Sequence, residues 1–359
     1  MPSSKIYHLL NQSDTCVVHR RKFPDARKIH NFCRKKEIPV AEIKARSVFD
    51  VVKRVHRELD AHGVTKLIIL GDKDQFPCLE YRWEKGKGYT DIIYSDPRKD
   101  GNLTVTVGRI YGSTETILVH LEGKYGDSNE AVVFDTTPRR SELPIQALES
   151  LGFYTYLASG FTDATRRMME RAEFVLQYSD GTLYDRVHGD PKRWFGGRRP
   201  RKLLDYNDVA SVMFKYYPVI YAEACSTANF GPLLHAFLAQ KTIYVGSTTP
   251  TYNNHIEFDS WETCHFCDGY KYGFLDLLDS RNTIGEVKRD VDAGLFSTLD
   301  QANSKQYETL LRGKTRDPKT IELLSTIQNL LFGNPNRPVT VGAGAGRFDI
   351  TKIPVAVSK

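Results

Sequence analysis

The chain has 359 residues, 40% of them hydrophobic, and its 50 Lys and Arg against 44 Asp and Glu leave a net charge of +6. That is enough apolar content for one large α/β domain or two domain-sized units with a real core, which excludes a disordered chain. The basic residues are scattered apart from Arg20-Arg21-Lys22 and Arg198-Arg199-Pro200-Arg201-Lys202, so nucleic acid is not an indicated partner. No apolar stretch approaches the roughly 20 residues of a membrane span, so no membrane partner is expected either.

In chain order, short apolar runs at Thr15–Val18, Val40–Ile43 and Lys66–Gly71 alternate with helical patterns at Pro24–Lys35 and Ser47–His62. That alternation predicts a parallel sheet with crossover helices. The third run ends in Gly71-Asp72 with Asp74 beyond, and the reading favoured there is a turn that satisfies its own backbone groups. A polar stretch, Tyr94 to Asn102, reads as a solvated hairpin turn before a strand at Thr104–Ile110. Calcium at its acids is the alternative, but the stretch lacks a full set of oxygen ligands. A second alternating series begins at Ala131–Asp135. It runs through helices at Glu142–Leu151 and Asp163–Arg171 and strands at Phe153–Leu157 and Glu173–Tyr178. A polar stretch from Ser179 to Lys202 carries Val187-His188-Gly189-Asp190. It leads to a helix at Asn207–Phe214, a strand before Cys225, a helix to Gln240 and a strand at Thr242–Gly246. His120 lies in a run that reads as strand-like, and His235 inside the helix after Cys225; both read as structural or surface residues. Residues 271–332 are mostly helical in pattern, and the glycine-rich tail after Pro338 reads as irregular.

The chain is organised around Pro218-Val219-Ile220 and the Tyr221–Gly231 stretch that follows, where a β-branched run gives way to small residues and then to a helical pattern. A strand would deliver Cys225 to a turn, and the following helix would set its N-terminal amides near the sulfur, favouring the thiolate. A cysteine is an effective acyl-transfer nucleophile when an imidazole manages protons beside it and two donors face the oxyanion. His188, after a strand and before a glycine, is the natural partner. The bland alternatives are a small core cysteine and a hydrogen-bonded loop histidine. Six cysteines without regular spacing make no disulfide framework, and residues 1–20 lack the basic start and apolar core of a signal peptide, so a cytoplasmic setting is expected.

His-Gly after one strand and Ala-Cys after the next is the layout of the caspase-like cysteine peptidases. Over about residues 15–335 the chain resembles the gingipain-type branch of that clan. The resemblance rests on Ile69-Leu70-Gly71-Asp72 with the loop to Pro77, Asp96–Gly101 followed by Val107-Gly108-Arg109-Ile110, and His188-Gly189. It continues in Ala224–Phe230, Tyr244–Thr248 and Leu331-Phe332-Gly333-Asn334-Pro335. The sequence departs from the family in Arg186-Val187 before the histidine, where Gly-His-Gly is usual, and in Gly-Asn-Pro for Gly-Asp-Pro.

The resemblance implies an α/β fold with an N-terminal βα subdomain (1–125), a caspase-like catalytic subdomain (126–338) and an irregular tail (339–359). It implies that Cys225 attacks the scissile carbonyl, that His188 protonates the leaving amine, and that the backbone N–H groups of Gly189 and Cys225 hold the oxyanion. Glu223, two before the nucleophile on the same strand face, would line the pocket for the preceding side chain and favour Arg or Lys, with Asp135 as a second wall. A protein or peptide substrate follows, and no cofactor. Cys264-His265-Phe266-Cys267 with His255 could instead hold zinc, though a lone CxxC lacks its second pair. The alternatives to a peptidase are a catalytically silent caspase-like scaffold and an α/β ligand-binding protein. The latter is disfavoured because no strand precedes GxGxxG or GxxxxGK[ST].

Overall fold

The structure, a computed structural model, describes residues 7–8, 14–45, 47–83, 86–97, 102–134, 142–178, 188–189, 192–196, 201–223, 227–228, 230–248, 274–275, 277–278, 283–298 and 329–338. The N-terminal series is β1 (Tyr7–His8), β2 (Thr15–Arg20), α1 (Ala26–Lys35), β3 (Val40–Ile43), α2 (Val48–His62) and β4 (Lys66–Leu70). It continues with the hairpin β5 (Leu79–Trp83) and β6 (Gly86–Thr90), then α3 (Ile92–Ser95), β7 (Thr106–Ile110), α4 (Thr114–Glu122) and β8 (Lys124–Tyr125). The second series is β9 (Glu130–Phe134), α5 (Glu142–Ser150), β10 (Tyr154–Ala158), α6 (Asp163–Met169), β11 (Phe174–Tyr178), β12 (His188–Gly189), β13 (Arg193–Gly196) and β14 (Arg201–Asp205). It ends with α7 (Tyr206–Ala210), β15 (Val219–Glu223), α8 (Pro232–Ala239), β16 (Ile243–Ser247), α9 (Ile284–Thr298) and β17 (Asn329–Phe332).

The two series share one mainly parallel ten-stranded sheet, ordered β10-β9-β11-β15-β16-β17-β7-β4-β2-β3. Side chains alternate across a strand, so each strand feeds two cores. In β4, Leu67 and Ile69 join a cluster with Val51, Val55 and Leu59 of α2, while Ile68 and Leu70 join one with Ile29 and Cys33 of α1. In β15, Ile220 and Ala222 pack with Phe237 of α8, while Val219 and Tyr221 pack with Val287 of α9. This is the α/β fold that the alternation predicts.

The 271–332 region is not helical to its end: residues 329–332 form β17, antiparallel to β16, and Phe332 meets Arg109 of β7. This one strand joins the two series. The residues after it bind the amino ends of both. Asn336 Nδ2 donates to Thr15 Oγ1 at the start of β2 (2.9 Å), and Asn334 Nδ2 donates to the His120 carbonyl (2.9 Å). The fully buried Arg337 donates to Glu173 Oε1 just before β11 (2.8 Å) and to the Tyr217 carbonyl just before β15 (3.2 Å).

Two further expectations are corrected. His120 lies in a helix, α4, whose N-cap Ser113 accepts the Thr116 N–H (3.1 Å), and not in a strand. Tyr94 and Ser95 end the short helix α3, and Asp96 is buried rather than solvated, so that part of the stretch is no open hairpin turn. Among the described residues no helix is long and apolar enough to cross a membrane.

Candidate functional site

Glu223 is the last residue of β15, in register with Tyr178 at the end of β11, so the described chain reaches the strands' carboxyl ends two positions before the predicted nucleophile. Cys225 itself, Asp135, Arg98–Gly101, His255, Cys264, His265, Cys267 and the tail after Pro338 lie outside the described residues. His188 and Gly189 form β12, the outer strand of a three-stranded antiparallel sheet, β12-β13-β14. The polar stretch containing them is therefore not a plain loop.

A hydrogen-bonded chain ties that small sheet to Thr227 and Ala228, the described residues that follow Cys225 in the sequence. Gly189 stands opposite Trp194 of β13, whose indole is buried between Phe134 and Phe237 and whose Nε1 donates to Tyr244 Oη (3.3 Å). Tyr244 Oη donates in turn to the carbonyl of Thr227 (2.7 Å), two residues past Cys225. Thr227 Oγ1 returns a bond to the Ala222 carbonyl (2.8 Å), and Ala228 N–H bonds the Ser247 carbonyl (2.8 Å). Gly246 makes room for this turn: a Cβ there would stand 2.9 Å from Thr227 Oγ1. The chain on both sides of Cys225 is thus pinned to β15 and β16, and the pinning aromatic sits directly across from the His188 strand. Sequence reasoning gave Trp194 no role and used Tyr244 only as part of a family motif. The signal was a Trp-Phe pair, then Leu203-Leu204, inside an otherwise polar stretch.

The N-terminal series supplies the neighbouring wall. Arg109, buried in β7, donates from Nε and Nη2 to both oxygens of Asp91 (3.0 and 2.7 Å), and from Nη1 to the carbonyls of Gly71 (2.9 Å), Asp72 (3.2 Å) and Phe76 (2.8 Å). Asp72 Oδ1 accepts the N–H groups of Asp74 and Gln75 (2.9 Å each), the self-satisfied turn expected there. Thr248, one residue past β16, exchanges bonds with both backbone groups of Tyr89 in the β5–β6 hairpin (2.9 and 3.1 Å). Both series therefore present their carboxyl ends on the same side. Between them opens a cleft of about 600 Å³, lined by Asp72, Tyr111, Tyr206, Phe230 and His235 among others.

The described thiols are not candidates for nucleophilic work. Burial pushes the Cys16 and Cys33 thiols up to about 12, with the Glu58 charge adding to the effect at Cys16, and burial also raises Cys78. The thiolate is the reactive form, so all three are inert near neutral pH. Among the described residues no group of three or more His, Cys, Asp or Glu could hold a metal ion.

No family model and no curated protein matches the chain. A solved structure described as that of a protease is similar, with a TM-score of 0.57 and 15% identity over 93% of this chain and 80% of its own. At that identity the likeness establishes a shared, protease-like fold. A D-lactate dehydrogenase from Sporolactobacillus aligns at TM-score 0.23 and 8% identity, covering 84% of this chain and 98% of its own. A D-isomer specific 2-hydroxyacid dehydrogenase from Lactobacillus delbrueckii ssp. bulgaricus aligns at 0.24 and 11%, covering 80% and 98%. Scores of that size carry no structural argument.

Proposed function

We propose that the chain is a cysteine endopeptidase of the gingipain and caspase type that cleaves after Arg or Lys. The observation that carries the reading is the Trp194–Tyr244–Thr227 hydrogen-bonded chain, which couples the strand opposite His188-Gly189 to Thr227, two residues past Cys225 in the sequence. The inertness of the three buried thiols and the protease-like fold support it. In this reading the Cys225 sulfur attacks the substrate carbonyl and the oxyanion is held by the backbone N–H groups of Gly189 and Cys225. His188 gives its proton to the leaving amine, the C–N bond breaks, and water then hydrolyses the thioester to free the acid. Glu223 receives the basic side chain by a charge-assisted hydrogen bond, with Asp135 as the second wall, and repels an acidic one.

A fluorogenic peptide panel that varies only the residue before the cut tests this, read with wild type, Cys225→Ala, His188→Ala and Glu223→Gln. Cleavage after Arg or Lys is expected, abolished by Cys225→Ala and slowed at least about 100-fold by His188→Ala. Glu223→Gln should remove the basic preference. A wild type that prefers acidic or apolar residues sinks the specificity, and full activity in Cys225→Ala sinks the mechanism. A wild type that cleaves nothing in the panel would favour the silent scaffold.

A further inference from the structure

The cleft between the two series has features that the catalytic reading does not use. Its volume of about 600 Å³ falls in the range of small-molecule sites, roughly 300–1,000 Å³. Its walls are chiefly aromatic and apolar: the Tyr111 ring lies 5.8 Å from Phe230 and 6.2 Å from His235, and Tyr206 and Ala236 complete the opening. Asp72 is the one formally charged side chain among the described lining residues. It is held rigidly, its Oδ1 by two turn amides and its carbonyl by buried Arg109. Two cations beside this loop, Lys73 and Arg109, have other partners as well. Lys73 pairs with Asp74 (2.7 Å) and stands over the Tyr89 ring, and Arg109 is matched by Asp91. The cleft therefore combines a preorganised negative charge with π faces, and both attract a cation carried on an apolar body.

We propose that this cleft is a binding site for an amine, amidine or guanidine attached to an aromatic or apolar group. An anionic ligand would meet Asp72 with no cation among the described lining residues to offset it. A neutral apolar ligand would fill the walls but offer no charge to match the carboxylate. The inference is independent of peptidase activity, because binding is read directly.

The test is calorimetric titration of the full chain with benzamidine, its neutral isostere benzamide, and benzoate. Benzamidine should bind at least about tenfold more tightly than benzamide, and benzoate more weakly than either. Asp72→Asn keeps the acceptor that caps the turn and removes only the charge, so it should bring benzamidine down to the level of benzamide. Tyr206→Ala, at an exposed wall, should weaken both by a similar factor. Glu223→Gln separates this site from the proposed substrate pocket. If Glu223→Gln abolishes benzamidine binding while Asp72→Asn leaves it unchanged, the ligand sits in the other pocket and the inference fails. Equal affinity for benzamidine and benzamide in wild type overturns it as well.

Discussion

At the carboxyl ends of the strands, buried Arg109 directs its donors to Asp91 and to three carbonyls between Gly71 and Phe76, all within one stretch of the N-terminal series. At the amino ends, the equally buried Arg337 reaches Glu173 and Tyr217, far back in the chain, while its neighbours Asn334 and Asn336 reach His120 and Thr15. The same guanidinium fork does two jobs. At one end it fixes the shape of a loop beside the candidate site, and at the other it latches the two series together. The difference teaches where function and stability separate in this fold: the latch lies at the amino ends of the strands, away from the cleft, and the loop clamp holds Asp72 of the cleft itself.

Breaking the latch should give the largest effect on stability. Arg337→Met removes the guanidinium from the buried Glu173 carboxylate, to which the Ser128 amide still donates (2.6 Å), and should cost on the order of 3–5 kcal/mol in urea denaturation. The double variant Arg337→Met/Glu173→Leu should recover most of that. A single-variant loss below about 1 kcal/mol would show that Arg337 latches nothing. The same end carries a pH dependence of similar size. Burial pushes His120 down to about 4, while its Nε2 donates to the Leu238 carbonyl (3.0 Å) and so joins α4 to α8. The folded state holds the imidazole neutral, and the unfolded chain protonates it near 6.5. Its contribution is therefore full above about 6.5 and is lost as pH falls toward about 4, a change on the order of 3 kcal/mol. His120→Gln, which retains a donor, should flatten the decline in urea midpoint between pH 7 and pH 4.5. An unchanged slope would place the acid sensitivity elsewhere.

Arg109→Lys should have the smallest global effect and the most local one. It keeps the charge opposite Asp91 but loses the bidentate grip on that carboxylate and the Nη1 group that reaches three carbonyls. Hydrogen exchange of the Gln75 and Phe76 amides should accelerate about tenfold or more, with the amides of β16 unaffected. Uniform acceleration across the sheet would mean that Arg109, like Arg337, supports the whole fold.

Much of this architecture was legible because the strands of both series carry continuous β-branched or alternating runs between helices with clear caps. β17 was not legible: Leu330-Leu331-Phe332 is too short an apolar run to tell from a helical segment, and only its pairing with β16 makes it a strand. The apolar run around His120 suggested a strand, whereas the decisive signals were Ser113 at one end and Gly123, at φ 61°, at the other. The small sheet holding His188 hid in a polar stretch because its anchor, Trp194, acts through Tyr244, 50 residues away in the chain. At the candidate site, local sequence pointed to the strand end that carries Glu223, while it read His188 as part of a polar loop. The aromatic relay and the cleft depend on contacts between distant segments, which no local pattern contains.

The most direct test of the proposed chemistry is labelling of the full chain with a peptidyl-arginine acyloxymethyl ketone, followed by mass mapping of all six cysteines. A single adduct at Cys225, forming at least about 100-fold faster than alkylation of an ordinary exposed thiol, is the predicted result, with Cys16, Cys33 and Cys78 untouched. Modification at Cys264 or Cys267 in preference to Cys225, or no thiol reacting faster than an ordinary exposed one, would contradict the assignment of Cys225 as nucleophile.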